Sequence, residues 1–423
     1  MTSEHGHVLH DHDSAPDMIA VETARERVLA RVAPLAPIEL PLAEAFGCVL
    51  AEGVSAPAAL PLFASSAMDG FAVRASDVAT ATANSAVGLR VVGRVRIGLA
   101  PDVTVGNGEA ARIATGAPIP AGADAIVPIE NCIAGEDTVS VLQASPLGKH
   151  VRPAGEDVRA GESLAPAGRR ISGAEMGLFA SAGLARVPVY PRPRVVILAT
   201  GDELVEPGKT LEYGQIHDSN SFTLSGALKE VGAQPVIANR VPDDVDALRE
   251  EVSSQFGAAD AFISSGGVSV GERDVVKGAF AGKGEIDFYR VAMQPGMPQG
   301  FGLIDGKPFF GLPGNPVSVF VSFEVFVRPA LMKMLGRKQL YRPQVRARLT
   351  ADLSGPSAKT MYARVMLERG RSGNFLATPT GGRGSNLFST VTRANGLAEV
   401  PAGVESISAG EDATVHVFRS LED

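Results

Sequence analysis

The 423-residue sequence has little of what marks several protein classes. It holds two cysteines, Cys48 and Cys132. Two thiols cannot build a disulfide framework or a four-thiolate metal site. No stretch of about 18 apolar residues occurs, which excludes a spanning helix and direct membrane insertion. The N-terminus lacks the basic-then-apolar pattern of a secretory leader. Together these absences predict a cytoplasmic protein. Positive charge is also in deficit: 39 Lys and Arg against 47 Asp and Glu give a net charge of −8. A general coat for nucleic acid or anionic lipid is therefore not expected, while a local anion pocket stays compatible.

What is present describes a globular chain. Hydrophobic residues make up 45% and charged residues 20%, too apolar for a disordered protein. At roughly 100–200 residues per domain, the length predicts two to four units. The 47 glycines and 29 prolines predict many turns and short strands. Residues 1–16 carry His5, His7, His10 and His12, four of the seven histidines. A frayed terminus is the favoured reading over a metal-binding tail. From Asp17 to Val32 the spacing of Val21, Ala24, Val28 and Val32 predicts a helix with Asp17 as its N-cap, ended by Pro34 and Pro37.

The rest divides by pattern. Between 57 and 158, short runs such as Leu89–Val92 and Ala125–Ile129 alternate with Gly, Pro and Asp clusters, which predicts a β module. Residues 159–190 return to a mixed pattern with a helix near 173–183, so the β module reads as an insertion into one split domain. Residues 191–336 alternate strands (195–199, 235–238, 261–264) with helices (220–231, 245–256). That order predicts a parallel, doubly wound sheet with its ligand beyond the strand C-termini. Residues 337–423 lack a strong helix, and alternation at 344–349 and 413–418 predicts a small β-barrel or sandwich.

Three loops after strands carry the candidate chemistry. Ser264 to Asp274 (SSGGVSVGERD) follows a strand and precedes a helix. Its glycines let backbone N–H groups approach an anion, and Ser265 and Ser269 add donors. A ligand-free Gly-rich turn is the alternative, and no Gly-Lys-Ser/Thr ends the loop as in a Walker A motif. Leu312-Pro313-Gly314-Asn315-Pro316-Val317-Ser318 is a second strand-to-helix turn, equally readable as structure alone. Thr200-Gly201-Asp202-Glu203 is the third. Carboxylates there, with Asp243 and Asp274 at other junctions of the same sheet, suit a hard cation such as Mg²⁺ bridging to phosphate. Each carboxylate taken alone reads as a cap or surface charge.

Together these segments resemble one family, molybdopterin molybdenumtransferase (MoeA), which includes the E domain of gephyrin. The resemblance rests on Ser66–Val73 (SAMDGFAV), Arg112–Pro118 (RIATGAP), Gly155-Glu156-Asp157, Thr200–Leu204, Ser264–Gly271 and Leu312–Ser318, in order from about residue 18 to 420. It implies an elongated four-domain subunit of α/β plus β class. Domain I would comprise 17–60 and 159–190, split around β domain II at 61–158. A doubly wound molybdopterin-binding domain III would span 191–336 and a C-terminal β domain IV 337–423, after a disordered tail at 1–16.

The resemblance also implies a homodimer and a Mg²⁺-dependent reaction. Molybdate would be inserted into adenylated molybdopterin with release of AMP. Asp157, Glu203, Asp243 and Asp274 match the family's functional carboxylates, the last three as metal ligands. Thr200, Gly201, Ser265, Gly266, Gly267, Ser269, Gly271, Pro313, Gly314, Asn315 and Pro316 fall in segments implied to hold cofactor and phosphate. Ser318, Arg364 and Ser385 match positions that hold the oxyanion. The chain departs from the family pattern at three places. Ala64 stands where a functional Asp is usual, and Gln294 and Met297 stand where two lysines face molybdate. Each lost cation removes roughly 1–4 kcal/mol of attraction at ~4 Å. The departures motivate an alternative with reduced catalysis. It is a gephyrin-like scaffold binding a peptide of a cell-division protein (a tubulin-like GTPase) or of a membrane receptor, with Phe375 and Phe388 as candidate contacts.

Overall fold

The computed structural model describes residues 18–268, 275–280, 286–371, 373–382 and 384–421. The chain divides into two compact units. One contains Glu39–Phe46 and Glu52–Pro188. The other contains the chain through Ile38, Gly47–Ala51 and everything from Val189 onward.

The 52–188 unit is built on a six-stranded sheet. Its order is Cys132–Ala134, Thr138–Val141, Val87–Val95, Glu109–Ile113, Gly70–Val73 and Ala125–Pro128. Alternating side chains fill both faces: Phe71 and Val73 join Leu89 and Val127 on one side, Ala72 joins Val95, Ala111 and Ile126 on the other. Gly70 has to be glycine, because a Cβ there would lie 2.0 Å from the Val127 carbonyl oxygen. One helix, Gly173–Ser181, closes the unit with a complete capping box. Ser172 Oγ accepts from the Ala174 amide at 3.2 Å, and Glu175 Oε2 accepts from the Ser172 amide at 2.9 Å.

The second unit opens with the helix Val21–Ala30, which starts four residues after Asp17. Its N-cap is Ala20, with no side-chain cap, so the cap expected at Asp17 is not the one used. A seven-stranded sheet follows, ordered Met18–Ile19, Ile286–Val291, Pro298–Ile304, Lys307–Leu312, Ala261–Ser265, Arg194–Ala199 and Gln234–Ile237. Helices cover both faces, as expected. Val195, Ile197 and Ile263 pack under Leu224, Leu228 and Leu331, while Val196, Leu198 and Phe262 pack against Leu248, Val252 and Val276. The sheet is mixed, however, where an all-parallel one was expected. Pro298–Ile304 runs antiparallel to both its neighbours. The cause is a two-residue hairpin at Asp305-Gly306, whose positive φ values of 46° and 82° suit the left-handed turn.

After Leu312 a continuous helical stretch runs from Pro316 through a π-type turn at Phe323–Val327 to Met334. The last domain is a barrel rather than a sandwich. Thr360–Arg369, Phe375–Pro379, Gln344–Leu349, Asp412–Val417 and Gly396–Val400 close into a ring through the pairing of the first strand with the last. It carries one short helix, Ser389–Thr392. A shared core joins barrel and α/β domain within this unit: Tyr362, Leu397 and Phe418 meet Val317, Val321 and Phe326.

Candidate functional site

The carboxyl ends of the parallel strands bring three loops together. Gly266 N donates to Leu312 O at 3.0 Å. Asn220 Nδ2, at the head of the Asn220–Val231 helix, donates to Ser265 Oγ at 2.8 Å and Gly314 O at 2.7 Å. Thr200 bridges to Val241 at the next strand's exit. Gly266 and Gly267 both hold positive φ, 93° and 70°. A Cβ on Gly267 would lie 2.7 Å from Val276 Cγ2 and 3.4 Å from Thr200 Oγ1. Bare backbone is therefore required beside Thr200. Three buried polar atoms here, Thr200 Oγ1, Ser264 Oγ and Asn220 Oδ1, have no hydrogen-bond partner. Buried polar atoms are normally satisfied, so a cluster of orphans around a glycine cradle marks a place where a ligand's polar groups complete the network. Ser269, Gly271 and Asp274 lie outside the described residues.

The carboxylates gather on one flank of this cradle. Asp243 N donates to Asp202 Oδ1 at 3.4 Å. Burial first, then the charges of Asp202 and Glu203, hold the Asp243 carboxyl above its ordinary value. Gly201 holds a positive φ of 144°, which favours glycine there and lets the Glu203 carboxylate lie close against the backbone. Among the described residues no cation pairs with Asp202, Glu203 or Asp243. No three His, Cys, Asp or Glu side chains among them converge closely enough to enclose a metal. Beside the outer strand opens a cleft of about 720 Å³, bordered by Ala199, Lys209, Asp218, Phe222, Ile237 and Arg240.

A second focus lies where the barrel meets the helix behind Pro316. Val317 N donates to Ser385 O at 3.1 Å, which places the Gly384-Ser385 loop beside Ser318. Arg364, only 6% exposed, extends into the same corner. Its Nε donates to Thr390 Oγ1 at 3.0 Å, and Nη2 donates to the carbonyls of Gly382 and, at 3.4 Å, Gly384. Every one of these acceptors is neutral. A cleft of about 200 Å³ is lined by Arg364 together with Gln294, Pro295, Asp352 and Gly382. Burial depresses the Arg364 pKa, as expected for a cation without a counter-ion. Gln294 borders this cleft, and Met297 lies half-buried on the same turn.

The remaining expected residues fall elsewhere. Asp157 belongs to the 52–188 unit, where its amide donates to Leu60 O at 3.0 Å, close in sequence to Ala64. Phe375 and Phe388 are half-buried packing residues. The first leans on the barrel core beneath Arg369, the second on the core shared with the α/β domain. Sequence reasoning missed Asn220, whose role is visible only when partners 45 and 94 residues away are brought to it.

A glycine cradle at the strand ends of a doubly wound domain, fused to a barrel that delivers a buried arginine, defines a class: α/β proteins with an anion-type site and an appended β-barrel. Comparison narrows this. The family described as MoeA N-terminal region (domain I and II) matches residues 19–183. Probable molybdopterin binding domain matches 196–333, and MoeA C-terminal region (domain IV) matches 346–418. Molybdopterin molybdenumtransferase 2 of Mycobacterium tuberculosis is 43% identical, over 90% of this chain and 94% of that protein. The Haemophilus influenzae molybdopterin molybdenumtransferase is 34% identical, over 96% and 100%. A crystal structure of the molybdopterin biosynthesis MoeA protein from Pyrococcus horikosii superimposes with a TM-score of 0.81 at 32% identity, covering 95% of this chain and 100% of that one. The chain belongs to the MoeA, or molybdopterin molybdenumtransferase, family.

Proposed function

We propose that this protein is a transferase of molybdenum cofactor biosynthesis that inserts molybdate into adenylated molybdopterin and releases AMP. The observation that carries the reading is Arg364, a buried guanidinium whose hydrogen-bond acceptors are all neutral, facing a cleft of about 200 Å³. A permanent cation so placed favours an oxyanion, and its planar donors suit one with several equivalent oxygens. Ser318 and Ser385 add hydroxyl donors beside it. The Gly266-Gly267 backbone and the unsatisfied Thr200 and Ser264 hydroxyls would hold the phosphate. The cleft of about 720 Å³ next to Ala199 gives room for the organic part of the substrate.

Glu203 and Asp243, which pair with no cation among the described residues, would hold Mg²⁺ jointly with the substrate's phosphate oxygens, with Asp274 as the further ligand the family pattern implies. Bound there, the ion would neutralise the phosphoanhydride charge. With Gln294 and Met297 in place of two cations, Arg364 is the cation that lines this cleft among the described residues, and Asp352 borders it too. A homodimer and a cytoplasmic location belong to the same reading. The described helices include none long and apolar enough to cross a membrane. The peptide-scaffold alternative draws no specific support, since Phe375 and Phe388 are packing residues.

A single-turnover assay tests the proposal: purified protein, adenylated molybdopterin, Mg²⁺ and molybdate, with AMP and product followed together. Stoichiometric AMP release that requires molybdate is expected. Pterin binding without AMP release at any molybdate concentration would sink the assignment.

A further inference from the structure

A third, smaller cavity is used by nothing in the preceding reading. It has a volume of about 80 Å³ and lies between the Val21–Ala30 helix, the helix around Glu324 and the barrel. Arg25, Val325, Tyr341, Tyr362, Leu397 and Phe418 border it. Two of its hydrogen-bond donors have no acceptor: the Tyr362 hydroxyl, on a side chain 1% exposed, and the buried Nε of Arg25. The carboxylates around it are already engaged. Glu324 accepts both arms of Arg342 at 2.8 and 2.9 Å, and Glu399 is bound by His416 Nε2 at 2.8 Å. The Arg25 guanidinium lies over the Tyr341 ring, 5.1 Å from its centroid, and makes no ion pair among the described residues. Burial raises the Tyr362 phenol well above its ordinary value, so it remains a donor throughout the physiological range. The cavity is thus short of an acceptor, and Arg25 reaches it without a direct ion pair, its electrostatic partner being the Glu399 carboxylate already bound to His416.

We infer that this cavity is a binding site for a small monocarboxylate, held by Arg25 and Tyr362. A planar carboxylate matches the edge of a guanidinium, one oxygen on Nε and the other free to take the phenolic hydroxyl. Val325, Leu397 and Phe418 form its apolar wall and accept a short alkyl group, while Glu324, Arg342, Gln344 and His416 complete the lining. The volume admits acids of acetate to propionate size. Charge selects a monoanion, because a dianion such as sulfate would bury a second negative charge beside the Glu324 and Glu399 carboxylates. The inference is independent of the transferase reading, since it concerns a different cavity and its test reads no turnover.

The test is a titration of the full-length protein with ¹³C-labelled acetate and propionate, chloride held so that ionic strength is constant. Binding is read by ligand relaxation and by near-ultraviolet tyrosine absorbance. The chain has no tryptophan and five tyrosines, of which Tyr341 and Tyr362 border the cavity, so the part of the signal lost in Tyr362→Phe reports the site. Saturable binding is expected. Arg25→Lys, which keeps the charge and removes the Nε edge on a half-exposed helix residue, should weaken it at least tenfold. Tyr362→Phe should weaken it at least threefold. A response no different from added chloride would mean that water fills the cavity and would overturn the proposal. So would equal affinity for sulfate, or Arg25→Lys binding acetate as the parent does.

Discussion

Arg364 and Gln294 border one cleft, and removing a charge at the first or adding one at the second makes opposite predictions there. Arg364→Ala removes the unpaired cation and should lower kcat/KM for molybdate by about a hundredfold or more, in line with ~1–4 kcal/mol per charge at this range. Gln294→Lys adds a cation to the same cleft and should lower the KM for molybdate severalfold, measured by titrating molybdate at saturating adenylated pterin. An unchanged KM in both variants would remove the oxyanion from this corner. Asp243 gives a pH test whose sign follows from its neighbours. Its carboxyl is raised, so the ionised form that a cation needs appears at higher pH than for an ordinary Asp. The Mg²⁺ requirement should therefore steepen as pH falls through that raised value, and Asp243→Asn should flatten the dependence. Ionised Asp243 also opposes folding above its raised value. Asp243→Asn should raise the melting temperature at pH 7 without Mg²⁺, a gain that fades as pH falls. The departures expected at Ala64, Gln294 and Met297 could be read from the sequence because they fall inside or beside contiguous motifs. Asn220 and the orphaned hydroxyls of Thr200 and Ser264 were not, because a hydrogen bond spanning 94 residues leaves no local trace.

At the level of elements, apolar periodicity located the helices of the α/β domain well: Asn220–Val231 and Val245–Gln255 fall where their buried faces recur. Strand direction was harder. Short buried strands look alike in parallel and antiparallel sheets, and the one local signal was the Asp305-Gly306 dipeptide, which a search for strand–helix alternation passes over. The helix start misplaced at Asp17 has a similar origin, since a good capping residue three positions upstream competes on paper with an uncapped Ala20. The Gly173–Ser181 helix shows what a real cap does. Ser172 and Arg169 hold Glu175 at about 2, against an ordinary 4.5. That depressed value stabilises the fold above roughly pH 4.5, and the contribution is lost as pH falls toward 2. Ser172→Ala should cost about 1 kcal/mol and lower the melting transition of its unit by roughly 2–4 °C in calorimetry. Glu175→Gln should remove the acid-dependent part, so its transition temperature falls less than that of the parent protein between pH 5 and 2.

Across the whole molecule, the α/β domain and the barrel share a core, yet they bring different chemistry to the proposed site. The glycine cradle beside Thr200 has phosphate-binding features, and Arg364 has oxyanion-binding features. Such a division predicts separable effects. Gly267→Ala places a methyl 2.7 Å from Val276 and forces a residue with a Cβ to hold a φ of 70°, so AMP binding should fall at least tenfold. Arg364→Ala should leave AMP binding within about twofold, because the barrel residue has no part in the cradle. In the double variant the two effects on AMP affinity should add within about 0.5 kcal/mol, the limit for sites without shared partners. Calorimetric titration of AMP into the four proteins of this cycle measures that coupling directly. A coupling well above that limit would mean that cradle and arginine act as one binding surface. Molybdate and phosphate would then compete for the same groups, and the order of substrate binding would have to follow from that competition.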